Sequence, residues 1–131
     1  MADVFTPEQR SHVMSRIRCR DTGIERIMEG LLESHGIPFV RQPRMSGRPD
    51  FLAGERTLIF CDGDFWHGYD YENRKKPPSQ FWRDKIEGNM RRDKRTRSSL
   101  RRAGYSVLSF WEHDLEKRPG VCIRRVLRFI R

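Results

Sequence analysis

Leu58-Ile59-Phe60 is a nearly continuous apolar run within the stretch Arg56 to Phe60, and it constrains the fold more than any other feature of the chain. A strand that lacks polar alternation is covered on both faces, so this run calls for a sheet with a layer on either side. Tyr105 to Trp111 reads as a second buried strand, with Val107, Leu108 and Phe110 turned inward. Ile37 to Arg41 forms a short strand, and Asp50-Phe51-Leu52-Ala53 begins after the break at Gly47-Arg48-Pro49. Gly54-Glu55 is a tight turn that returns the chain to Arg56.

Helices separate these strands. Thr6-Pro7-Glu8-Gln9 combines a cap, a proline suited to the first helical position and a capping-box glutamine, opening a helix that runs to about Cys19. Thr22-Gly23-Ile24-Glu25 opens a second, in which Ile24, Ile27, Met28, Leu31 and Leu32 recur at helical spacing and Gly36 closes the end. A long basic helix is expected from about Ser79 to Ala103, closed by Gly104, and a last one over roughly Gly120 to Ile130. The order predicts an α/β fold: a central mixed β-sheet flanked by helices, in a single domain over residues 1–131.

Charge points to a partner. Lys and Arg number 27 against 18 Asp and Glu, a formal net charge of +9. Such an excess suits a polyanion, nucleic acid before an anionic membrane, since no Lys/Arg amphipathic helix offers an open apolar face. The run Arg91-Arg92-Asp93-Lys94-Arg95 concentrates that charge on the long helix. No stretch reaches the roughly 20 apolar residues of a membrane span, and Met-Ala-Asp-Val-Phe lacks the plan of a signal peptide. Cys19, Cys61 and Cys122 are odd in number, scattered and free of any CxxC pair, which suggests a reducing, cytoplasmic setting.

Two segments carry candidate chemistry: Gly47-Arg48-Pro49-Asp50-Phe51, and Phe60-Cys61-Asp62-Gly63-Asp64-Phe65-Trp66-His67-Gly68. If the turn at Gly54-Glu55 pairs the two strands, Asp50 at the start of one meets Cys61 and Asp62 at the end of the other. Carboxylate and carbonyl oxygens then converge, which is the hard-oxygen set that Mg²⁺ accepts. His67 follows within a few residues and can act as a general base near neutral pH.

Several motifs in order give this chain a more specific likeness. Arg20-Asp21-Thr22 with Glu25, Gly47-Arg48-Pro49-Asp50-Phe51, Phe65-Trp66-His67, and Phe81-Trp82 with Lys85, Ile86, Asn89, Arg92 and Asp93 resemble the very-short-patch (Vsr-type) DNA mismatch repair endonucleases. So does Val107-Leu108 with Trp111-Glu112, and the likeness extends from about Met14 to about Leu115. The resemblance implies a restriction-endonuclease-like fold and a Mg²⁺-dependent enzyme, using two metal ions, that nicks one strand of double-stranded DNA beside a T:G mismatch. It implies Asp50 as the main metal ligand with the Cys61 carbonyl as a second, His67 as the base that activates water, and Glu25 as the residue that orients His67. It further implies that Phe65, Trp66 and Trp82 wedge into the base stack opposite Met14 on an N-terminal DNA-contacting helix within residues 1–20. Lys85 and Asn89 match positions that contact the mismatched bases, and Arg20 and Arg92 belong to the DNA-binding set. Such a protein acts as a monomer in a bacterial or phage cytoplasm, associated with the nucleoid and with mismatch-repair proteins as possible partners.

The chain departs from the family at two places. The family's structural zinc is held by Cys and His, but the corresponding positions here are Asp64, Tyr69, Tyr71 and His113. That set does not suit tetrahedral zinc, so no structural zinc is expected, and an Asp64–His113 ion pair could pin the loop instead. Asp62 stands where the best-known member has His, and it either adds a carboxylate to the metal or hydrogen-bonds within the turn. Plainer roles stand beside the sharp ones: Glu25 suits a capping box after Thr22, Trp82 or Phe81 suits the core, and Met14 suits ordinary helix packing. Two other functions share these features. One is a site-specific nicking or homing-type endonuclease with the same catalytic core, and the other is a non-catalytic nucleic-acid-binding module.

Overall fold

The computed structural model describes residues 23–64, 67–71 and 79–130. The expected N-terminal helix, with Met14 and Arg20, lies outside the described residues, as do Phe65 and Trp66. The described elements are α1 (Gly23–Ser34), β1 (Phe39–Arg41), β2 (Phe51–Ala53), β3 (Thr57–Asp62), α2 (Gln80–Arg102), β4 (Ser106–Trp111), α3 (Glu112–Lys117) and α4 (Pro119–Leu127).

The four strands form one mixed sheet in the order β1-β2-β3-β4. β1 and β2 are antiparallel, as are β2 and β3, with Phe51 opposite Ile59. β3 and β4 are parallel, with Cys61 opposite Phe110, and α2 supplies the crossover that a parallel pair requires. Every residue of β3 is buried, as its unbroken apolar run predicts. The strand continues past Phe60 to Asp62 because β4 keeps pairing with it through Trp111.

Side-chain alternation divides the core. On one face Phe51, Ala53, Ile59, Cys61, Leu108 and Phe110 pack with Met28 and Leu32 of α1, Leu115 of α3, and Cys122, Ile123 and Val126 of α4. On the other, Leu58, Phe60 and Val107 meet Leu100 of α2. The apolar spacing of α1 therefore does what it foretold, with Met28 and Leu32 fully buried. Gly36 ends α1 in the left-handed region at φ 67°.

Two expectations at the C-terminal end need correction. The last helix starts at Pro119, its proline in the first turn, and its regular part stops at Leu127. Ahead of it lies α3, six residues long, which the sequence reading did not anticipate. Its only buried side chain is Leu115, so it has no apolar period to reveal it.

Candidate active site

Asp50 lies one residue before β2, and its backbone is held from both sides. Its N–H donates to the Ile59 carbonyl at 2.9 Å, and its carbonyl accepts from the Gln42 N–H at 2.8 Å. The side chain reaches across to the end of β3, where Oδ2 accepts from the Cys61 N–H at 2.6 Å. The hairpin thus brings together the two strand ends that the sequence reading had placed at one point. Gln42 and Arg48 flank this segment with φ of 50° and 48°, a left-handed conformation that non-glycine side chains adopt at a cost. Beside Arg48, Gly47 has φ 88°, and a β-carbon there would run into Thr96 of α2. Glycine is what allows the strand lead-in to pass so close to the long helix.

Burial pushes the Asp50 carboxyl up to about 7. The Cys61 hydrogen bond opposes that rise, while the Glu25 and Asp62 carboxylates add to it. Glu25 is only 3% exposed, so the charge gathered at this corner is strongly negative. The Cys61 thiol is raised by burial and by the same carboxylates, which leaves it chemically inert and assigns its part to the backbone.

His67 sits in the loop after β3, where its N–H donates to the Gly63 carbonyl at 3.2 Å. Its Nδ1 lies 2.6 Å from Oδ2 of Asp93 on α2. An ionised carboxylate can only accept, so Nδ1 carries the proton and Nε2 is left as the basic nitrogen. Burial lowers the affinity of His67 for a proton, but the Asp93 hydrogen bond and the Asp62 and Asp93 charges outweigh it, and the imidazole is held above its usual range.

This geometry corrects one expectation. The carboxylate bonded to His67 is Asp93, whereas Glu25 accepts from Gln42 Nε2 at 3.0 Å and lies 3.8 Å from the Arg41 guanidinium. Glu25 nevertheless lines the same cleft as Asp50, Cys61, Asp62 and His67. Its position in the first turn of α1, close beneath Asp50, makes it part of the acidic floor.

Asp62 also has a more definite role than the sequence allowed. It is 4% exposed, and both of its oxygens accept from Arg97 of α2, at 2.7 and 2.9 Å. Asp93 entered the sequence analysis only as part of the α2 motif, without a role, and Arg97 was not singled out. Their spacing of four residues, which puts two opposite charges on one helix face, was the available signal.

α2 forms the other wall of the cleft. Lys85, Asn89 and Arg92 line it together with Asp93 and Arg97, so three of the residues expected to bind DNA face the carboxylates. Trp82 is half-buried in the first turn of α2 and packs edge-to-face on Phe81, which is 56% exposed. Of that adjacent pair, Phe81 is therefore the more open to a partner.

The loop after β3 is pinned by Asp64 and His113. His113 Nδ1 lies 3.1 Å from both oxygens of Asp64, the ion pair that the sequence suggested. The Asp64 N–H donates to Glu112 at 3.1 Å, and the Tyr69 ring packs on His113 with centroids 4.2 Å apart. Among the described residues, no group of three or more His, Cys, Asp or Glu side chains is gathered as a metal cluster.

A mixed sheet whose strand ends carry a buried carboxylate, faced by a hydrogen-bonded imidazole and a basic helix, suits a nuclease of the restriction-endonuclease-like fold. Comparison with known proteins gives the family. A family model described as DNA mismatch endonuclease Vsr matches residues 2–73. The DNA mismatch endonuclease Vsr of Escherichia coli K12 is 41% identical over 122 residues, covering 90% of this chain and 78% of that protein. The type II nicking enzyme V.NmeDIP of Neisseria meningitidis serogroup C is 34% identical over 134 residues, covering 98% and 90%. The catalytic domain of the homing endonuclease I-Bth0305I has the same fold, with a TM-score of 0.59 at 23% identity over 83% of this chain and 94% of that one. The chain belongs to the Vsr family and is a DNA endonuclease.

Proposed function

We propose that this endonuclease nicks one strand of duplex DNA beside a T:G mismatch and uses Mg²⁺ to do so. The observation that carries the catalytic part is the meeting of Asp50, the Cys61 backbone and His67 in one cleft walled by the basic helix α2.

The residues present fit a hard divalent cation. Asp50 is held near pH 7 by burial and by two neighbouring carboxylates, a corner whose surplus negative charge a cation would relieve. Asp50 and the Cys61 carbonyl would hold the ion, with water completing its shell, as Mg²⁺ favours. Bound there, it would supply stabilisation of the charge that builds up on the phosphate oxygens. One or two ions are compatible with this donor set.

The protein's own groups do the rest. His67 Nε2 takes a proton from the attacking water, and Asp93 stabilises the imidazolium that results and fixes the ring. Arg92, Lys85 and Asn89 line the cleft and would hold DNA across it, the basic groups by phosphate charge and Asn89 by hydrogen bonding. In this reading Trp82 joins Phe65, Trp66 and Met14 in opening the stack. A mismatch lowers the cost of that opening, because its pairing is already weak.

A nicking assay on matched and T:G-mismatched duplexes, with and without Mg²⁺, tests the proposal. Asp50→Ala should abolish cutting and His67→Ala should reduce it to a small residual rate, each while duplex binding persists. Equal cutting of both duplexes would refute the mismatch reading, and cutting in the presence of a chelator would refute the metal.

A further inference from the structure

We propose that Arg97 is a positioning residue for strand cleavage, setting the His67 imidazole through Asp62 and Asp93 rather than by touching DNA. The proposal rests on the nuclease reading of the cleft.

The argument starts from how the guanidinium is held. Its two terminal nitrogens lie 2.7 and 2.9 Å from the Asp62 oxygens, a two-point contact that fixes direction as well as distance. One of them also donates to the Ser109 hydroxyl at 2.9 Å, tying the clamp to β4. The guanidinium lies 4.2 Å from the centroid of the Phe60 ring, which prevents it from swinging out of the plane of the pair. Strand β3, strand β4 and helix α2 are thus tied together at one side chain.

That side chain adjoins the imidazole's own support. Arg97 lies 3.8 Å from the Asp93 oxygen Oδ1, while Asp93 Oδ2 holds His67 Nδ1 at 2.6 Å. The positive charge therefore draws one oxygen of Asp93 and leaves the other for His67. Asp62 Oδ1 stands 3.7 Å from the same Nδ1. Left unclamped, Asp62 would compete with Asp93 for the imidazole proton, and the ring would have two resting places. With both Asp62 oxygens engaged by Arg97, Asp93 is the favoured partner and the ring has one.

Stability alone gives little reason to keep such a group. The Arg97 side chain is 12% exposed, and among the described residues its Nε is buried without a hydrogen-bond partner. A buried ion pair of this kind is often no more stable than apolar residues of similar volume. An Arg at this place is better explained by orientation than by folding energy.

The test compares single-turnover nicking and duplex affinity for the wild-type protein, Arg97→Gln, Arg97→Lys, His67→Ala and the double variant of His67→Ala with Arg97→Gln, each checked by thermal unfolding. Support residues around catalytic groups typically contribute on the order of 10- to 100-fold. Arg97→Gln should slow nicking by about that factor at saturating DNA, with Kd within about twofold. Arg97→Lys keeps the charge without the two-point contact and should recover part of the loss, which also covers the case in which the Gln variant does not fold. In the His67→Ala background, Arg97→Gln should cause no further loss of the residual rate. Multiplying losses in that background, or a weakened Kd with an unchanged rate, would overturn the proposal by placing Arg97 on the DNA. A wild-type protein that binds DNA but does not nick it would instead overturn the nuclease reading on which it rests.

Discussion

Asp50 should destabilise the metal-free protein at alkaline pH, and Asp50→Asn should relieve that penalty. The carboxyl rises from an ordinary 3.8 to about 7, with burial the main cause and Glu25 and Asp62 adding to it. The sign follows from proton binding. Between those two values the folded protein holds a proton that the unfolded chain has released, so stability falls as pH climbs through the window. Three units at ~1.36 kcal/mol each set a ceiling of ~4 kcal/mol, and water reaching the open cleft reduces the expected effect to ~1–3 kcal/mol. Asparagine resembles the protonated acid and can still accept from the Cys61 N–H, so it carries no such penalty. Unfolding of both proteins should be followed in chelator at pH 4 and pH 8. The Asn variant should melt higher at pH 8 by roughly 4 °C for each kcal/mol gained, and the difference should nearly vanish at pH 4. Adding Mg²⁺ at pH 8 should raise the wild-type midpoint and leave the variant almost unmoved. An equal difference at both pH values, or an Asn variant less stable at pH 8, would refute the account of Asp50 as an uncompensated buried charge.

Three further outcomes follow from the site. Asp93→Asn removes the hydrogen-bonded charge that keeps His67 above its usual range, so burial should then prevail. The acid limb of the nicking-rate profile should shift to lower pH while the maximum rate falls, and an unshifted limb would show that His67 is not the titrating base. The Asp64–His113 pair is partly exposed, so Asp64→Ala should cost no more than ~1 kcal/mol of stability, measurable by urea unfolding. A zinc-selective chelator should leave the thermal midpoint where it is, and one tightly held zinc per chain on elemental analysis would contradict this.

Much of this arrangement was legible in the residues because it depends on local rules. The Leu58-Ile59-Phe60 run announced a strand buried on both faces, and the Gly54-Glu55 turn announced its partner. Together they locate Asp50 against Cys61 from the residues alone. What remained hidden depends on which face of α2 turns toward the sheet. Asp93 and Arg97 lie within a strongly basic helix whose interior residues are few, with Ile86 and Leu100 its only buried positions. Two apolar residues fourteen positions apart leave the rotation of a helix poorly specified by pattern alone. The partner of His67 is decided by that rotation, which is why Asp93 was given no role from the sequence. Helix α3 was hidden for a related reason, since six residues with one buried side chain offer no period.

The placement of charge explains why the site is split between a sheet and a helix. The sheet supplies Asp50 and Asp62 from strand ends, with Glu25 of α1 close to Asp50, and these alone would repel one another and the phosphate backbone. α2 brings the opposite sign on the same cleft, with Arg97 committed to Asp62 and Lys85 and Arg92 facing the opening. One cation in this set is thus used internally, while the others can meet DNA. Among the described residues no guanidinium is hydrogen-bonded to Asp50, and burial, with the Glu25 and Asp62 charges added, raises its proton affinity. A divalent ion is the natural counter-charge for that position. Filling it with an arginine instead would stabilise the protein and remove the place proposed for the metal.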